Sequence, residues 1–137
     1  MSTLPDKASA LIRVALRDLE AVESDDRYTV QMSLWHDERK SGGCAVCFAG
    51  AVMAKSLGAV LGQHYDPRDF KGDEQKLTAL NELRSGRVGV GLTDLGLDDN
   101  DEHLWAFDRS IADYKHSPAD FKADMRALAD DLEKAGL

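Results

Sequence analysis

The sequence predicts an α+β domain that is mainly helical: a central buried helix surrounded by four helices, with a small β-sheet or hairpin. Three observations lead there. The run from Cys44 to Ala54 lacks any charged or polar side chain although the chain carries a formal net charge of −8, so that run is buried. Apolar residues recur at helical spacing in four further stretches, and one stretch alternates with period two.

Taken in order, Leu11, Ile12, Ala15, Leu16, Leu19 and Val22 share one stripe between Asp6 and Glu23, which predicts an amphipathic helix. Ser24, Asp25 and Asp26 break that pattern. Tyr28, Val30, Met32 and Leu34 then alternate with Thr29, Gln31, Ser33 and Trp35, the period of a strand. A charged loop, His36 to Gly43, leads to the central helix, placed at Cys44–Leu61 because it is apolar on nearly every face. Cys47, Ala51, Ala54 and Gly58 give that helix a groove of small residues that another backbone can approach.

Pro67 to Phe70 predicts a short turn of helix. Asp73 is placed as N-cap of a helix carrying Leu77, Leu80 and Leu83 and ending at Gly86. Val88, Val90 and Leu92 alternate with Arg87, Gly89 and Gly91, so residues 87–92 are assigned as the strand that partners the first. Leu104, Phe107, Ile111 and Tyr114 return to helical spacing. Ser117 as N-cap and Pro118 at the first helical position start the last helix, whose stripe is Phe121, Met125, Leu128 and Leu132.

With 137 residues, 43% of them apolar, the chain fits one domain, residues 1–137, that buries about two thirds of its unfolded surface. Its negative charge argues against direct binding to nucleic acid or anionic membranes, whose phosphates are met by Lys and Arg, and favours a basic partner protein. The first residues do not read as a signal peptide, and the longest uncharged stretch is too short to span a bilayer. A cytoplasmic protein is expected, with no membrane partner and no cofactor.

Cys44 and Cys47 are the only cysteines, and they set up the candidate chemistry. A cysteine in the first turn of a helix meets unpaired N–H groups that favour its thiolate. Gly-Gly-Cys heading a buried helix resembles the nucleophile position of papain-like cysteine hydrolases. That likeness implies Cys44 as nucleophile, His103 as base and Asp101 or Asp108 as its orienter. Alternatively Cys44 attacks and Cys47 resolves, as in a CxxC redox protein, or His36, Cys44 and Cys47 hold zinc with His64, His103 or His116. The preferred reading is plainer: both thiols are small apolar residues fitted to a tight crossing, since free cysteine is among the most buried residue types. His36 is then expected to bond the backbone near Gly42 or Gly43.

The acidic stretch of Asp94, Asp98, Asp99, Asp101 and Glu102 lacks the alternating carboxylates and central glycine of an EF-hand loop. It reads better as a surface for a basic partner; Trp105 beside it is either an aromatic anchor for that partner or, the reading its large area favours, a core residue.

Met32, the Trp35-His36 pair, Cys44-x-Val46-Cys47-x-Ala49-Gly50-x-Val52-Met53-Ala54, Leu57-Gly58, Pro67 with Phe70, and Leu77-x-Ala79-Leu80-Asn81-x-Leu83-Arg84-x-Gly86 together resemble a family of small uncharacterised proteins of tailed phages and prophages. The similarity covers roughly residues 28 to 86. It implies a phage-type accessory protein made in the cytoplasm of a bacterial host, and no particular reaction. The function expected is binding to a host or phage protein, as a stoichiometric inhibitor of a defence or nucleic-acid-processing protein. The alternative is a thiol-dependent enzyme using Cys44.

Overall fold

The computed structural model describes residues 3–97, 107 and 109–137. It is an α+β fold, mainly helical, with a three-stranded sheet. Helix α1, Ala8–Glu23, buries Leu11, Ile12, Ala15, Leu16, Leu19 and Val22, the stripe its sequence period predicts. No helix among the described residues is long and apolar enough to cross a membrane.

The sheet departs most from expectation. Strand β1 is Tyr28–Val30, β2 is His36–Glu38 and β3 is Cys44–Val46, in the order β1-β3-β2. β3 runs parallel to β1 and antiparallel to β2. The predicted strand therefore stops at Val30 rather than Trp35: Leu34 N–H bonds the Gln31 carbonyl at 3.1 Å, which turns the chain, and the pairing resumes at His36. The supposed loop 36–43 is thus the second strand and its turn. The turn needs Gly43, which has φ 78° and whose missing Cβ would sit 2.1 Å from the Arg27 carbonyl oxygen.

Cys44 consequently begins a strand, not a helix. β3 is the middle strand and wholly buried, with backbone groups engaged on both sides: Cys44 N–H bonds Arg27 O at 2.9 Å beside β1, while Cys47 N–H, just past its end, bonds Trp35 O at 3.3 Å beside β2. A short apolar run has the same appearance whether it is a buried strand or a buried helix, which is why the run from Cys44 read as one element. The helix α2 starts four residues later, at Phe48–Lys55, with Cys47 as its N-cap. It ends well before Leu61. Val60 is 52% and Leu61 36% exposed, so neither belongs to the buried ridge.

α2 is the buried centre, with Phe48, Ala49, Gly50, Ala51, Val52 and Met53 all inaccessible. α1 lies on one side of it and α3, Glu74–Arg84, on another, with β2 and β3 completing its surroundings. The close backbone approach anticipated for this segment occurs at Gly50, where a Cβ would lie 1.7 Å from the Trp35 carbonyl oxygen.

A 3₁₀ turn at Pro67–Asp69, closed by a reciprocal capping box between Asp66 and Asp69, matches the predicted turn of helix. Asp73 precedes α3 but does not cap it. Its carboxylate instead accepts from Thr3 N–H at 3.2 Å, Thr3 Oγ1 at 2.8 Å and Leu4 N–H at 3.2 Å, tying down the start of the chain. Residues 88–92 fall in a helix, α4, Val88–Asp94, with Arg87 as its N-cap, and not in a strand. Val88, Gly91 and Leu92 are its buried positions, a helical spacing. Gly91 lets α4 close on α3, since a Cβ there would come within 2.9 Å of both the Ala79 carbonyl and Leu83.

Of the helix expected around Leu104, Phe107 is buried in the core, while residues 109–113 are irregular and Tyr114 lies in a turn. Ala112 N–H is satisfied by Asp124 Oδ2 at 2.8 Å. Helix α5, Pro118–Lys134, begins as read, with the Ser117 side chain accepting from Asp120 N–H, and packs on α1 through Phe121, Met125, Leu128, Ala129 and Leu132.

Candidate functional site

The sheet register decides where the sequence's chemical residues meet. His36 opposes Val46, and Glu38 opposes Cys44, so His36 and Cys44 project from the same face of the β2–β3 pair. Both are fully buried. His36 Nδ1 lies 2.7 Å from the Gln63 carbonyl oxygen, which can only accept, so Nδ1 carries the ring proton. The same nitrogen is 3.9 Å from Cys44 Sγ. His36 Nε2, left with the lone pair, is buried and has no hydrogen-bond partner among the described residues. The edges of Tyr28 and Tyr65 enclose the ring, with centroids 6.2 and 5.2 Å away.

Cys44 Sγ also accepts the Gly62 N–H at 2.9 Å. Residues 62 and 63 thus seal the pair from outside. His36 does not bond the backbone at Gly42 or Gly43; the Tyr65 N–H pairs with the His36 carbonyl at 3.0 Å and brings Gln63 alongside instead.

Cys47 has a different task. Its Sγ accepts the Gly50 N–H at 3.3 Å as the cap of α2, and burial pushes its thiol up to about 11, against the smaller opposite pull of that N–H. A neutral capping thiol is a poor nucleophile and a poor metal ligand. Among the described residues no three His, Cys, Asp or Glu side chains are grouped to hold a metal ion. His64 turns to Asp37 at 2.5 Å and His116 to Asp113 at 4.0 Å, on exposed surface.

His103, Asp101 and Asp108, named for the hydrolase alternative, lie outside the described residues, as do Asp98, Asp99, Glu102 and Trp105 of the proposed binding surface. Asp94 is described. It ends α4 and helps line a hollow of about 460 Å³ with Gly72, Glu74, Gln75 and Thr78. Two carboxylates line that hollow and no Lys or Arg does, among the described residues.

A larger groove, about 690 Å³, was not visible in the sequence. Val30, Met32, Arg84, Tyr114 and Lys115 line it, from three separate segments that meet only in the folded chain. It adjoins the outer edge of β1. The parallel ladder uses the backbone of Arg27, Thr29 and Gln31, so the Val30 N–H and C=O face away from the sheet. The opposite edge is protected, because Tyr65 pairs with His36.

Around β1 the ionic contacts are dense. Asp25 is held far below the ordinary carboxylate range, first by the Arg27 side chain, then by the Arg27 N–H and Lys55. Lys55 in turn stands 5.0 Å over the Tyr28 ring. No protein-family model matches the chain, and searches of curated proteins and of solved structures return no match.

Proposed function

We propose that this protein is a phage-type accessory factor that works by binding a basic segment of a host or phage protein, in the host cytoplasm, as a stoichiometric inhibitor of a defence or nucleic-acid-processing protein. The observation that carries this reading is the hollow at the junction of α3 and α4, which Glu74 and Asp94 both line and no described Lys or Arg lines. Two carboxylates sharing an open hollow attract a Lys or Arg side chain, and Arg in particular can bond them in fork geometry. Asp94 also begins the acidic stretch that continues through Glu102, so the hollow sits at one end of a run of negative charge. Such a surface speeds encounter with a basic partner more than it tightens the final complex.

The buried sulfurs favour binding over thiol chemistry as the main activity. Cys44 is 0% and Cys47 1% exposed, and the Cys47 thiol is pushed up to about 11. The test compares wild type with Glu74→Gln/Asp94→Asn, which keeps side-chain shape and removes both charges. Immobilised wild-type protein is expected to retain one basic bacterial or phage protein at physiological salt, and the purified pair to bind at least tenfold more weakly in the double variant by calorimetry. Retention of nothing by the wild type, or equal affinity for both proteins, would defeat the proposal.

A further inference from the structure

Residues 58–63 cover the Cys44 thiol, and they are held as a separable strap. Gly58 (φ 72°) and Gly62 (φ 85°) flank it, and a Cβ at either would meet nothing within 4 Å. Val60 and Leu61 between them are largely in solvent already. The strap is fixed from outside by Ala59 N–H to Met53 O at 2.9 Å and Tyr65 N–H to His36 O at 3.0 Å. Over the thiol itself it is held by the Gly62 N–H to Sγ and the Gln63 carbonyl to His36 Nδ1. Val60 N–H also reaches Tyr65 Oη at 3.2 Å and Gln63 N–H the Val60 carbonyl at 3.3 Å, but Ala59 is the one buried residue of the strap, which makes its opening a local event of low cost compared with unfolding.

What lies under the strap is poorly explained by packing alone. A hydrocarbon ring would fill the His36 site without leaving Nε2 buried and unpaired, a state that costs roughly 1–3 kcal/mol in general. The imidazole donates Nδ1–H to the Gln63 carbonyl of the strap, and the same nitrogen lies 3.9 Å from Cys44 Sγ, so once the strap lifts that nitrogen is placed to serve the thiol as a base.

We propose that Cys44 is a gated nucleophile toward small-molecule disulfides, with His36 as its base and the 58–63 strap as the gate. Opening frees His36 Nδ1 from the Gln63 carbonyl. The ring proton moves to Nε2, and Nδ1 then accepts the thiol proton of Cys44. The thiolate attacks one sulfur of the disulfide, forming a mixed disulfide at Cys44 while the other sulfur leaves as a thiolate. The disulfide is the oxidant, and the proton stays on the imidazole. This inference does not rest on the binding function proposed above.

The test is modification of the native chain by an aromatic disulfide, 5,5′-dithiobis(2-nitrobenzoate), over a urea series below the unfolding transition, with the modified residue located by mass spectrometry. Cys44 is expected to react at least tenfold faster than Cys47, with a rate nearly flat in urea, while Cys47 follows global unfolding. His36→Gln, whose amide can still bond the Gln63 carbonyl but cannot take a proton, is expected to slow Cys44 about a hundredfold. Equal rates for both thiols rising steeply with urea would overturn the gate, and an unslowed His36→Gln would overturn the base. Hydrogen exchange at the Gly62 amide of the wild type tests the gate without any variant: exchange only through global unfolding would sink it.

Discussion

Asp18 is the buried charge whose behaviour reaches furthest. It is 2% exposed on α1, where its carboxylate accepts from Ser56 Oγ at 2.5 Å and meets Arg17 at 3.4 Å. Burial dominates and raises its pKa, outweighing the hydrogen bond from Ser56 and the attraction of Arg17. A raised folded value means that Asp18 favours the fold most when protonated, and that this contribution is lost as pH rises from the ordinary Asp range near 4 through the folded value. Asp25 and Asp66 act in the opposite sense, because each is lowered, chiefly by the neighbouring Arg27 and Arg68 side chains. Their contribution is present above that range and lost as pH falls below it. Stability is therefore expected to peak in mildly acid solution. Asp18→Asn should flatten the neutral side of that peak, so that its urea midpoint exceeds the wild type's at pH 7.5 by more than at pH 5.

At the level of elements, the division between β3 and α2 rests on Cys47. Its backbone is extended, at φ −90° and ψ −169°, its N–H completes the sheet on Trp35 O at 3.3 Å, and its sulfur caps the helix through Gly50 N–H. Cys47→Ala keeps the strand bond and removes the cap, so a loss of about 1 kcal/mol is expected from denaturant unfolding, with an unchanged m-value. Cys47→Ser, which supplies a stronger acceptor at the same place, should recover part of it. The helices with one polar face, α1, α3 and α5, were legible because period 3.6 leaves a stripe. β3 and α2 were not separable because every position from Cys44 to Met53 is buried, and a sequence with no polar face carries no period. α4 was misread for a related reason. Its glycines at 89 and 91 happen to alternate with Val88, Val90 and Leu92, yet Gly91 is there to admit α3, a tertiary contact that local pattern does not encode. Of the candidate site, the sequence grouped Cys44 and His36 only as zinc ligands with Cys47, and it took the β2–β3 register to put His36 and Cys44 on one face while Cys47 went to cap α2.

The whole molecule is joined at Phe121. Its ring meets Phe48 of α2 edge-on, with centroids 5.4 Å apart at 89°, and Tyr114 at 5.7 Å and 86°. Tyr114 donates to Glu23 of α1, which also receives Lys122 at 2.8 Å. One side chain thus links α5, α2 and the segment 109–117. Phe121→Ala is expected to cost about 4 kcal/mol, a large part of the whole stability of a domain this size, and to lower the thermal midpoint by roughly 15 °C in circular dichroism. The contact between Gly50 and Trp35 O has a comparable reach through its lack of space. With 1.7 Å between an added Cβ and the carbonyl, no side chain fits unless α2 and the start of β2 part. In a library randomised at single codons and sorted for folded protein, codon 50 should return glycine alone, whereas codon 42, where a Cβ meets nothing within 4 Å and φ is 93°, should also admit asparagine and aspartate. The tolerance of this chain to variation is therefore set less by its charged exterior than by one atom's width between a helix and a carbonyl.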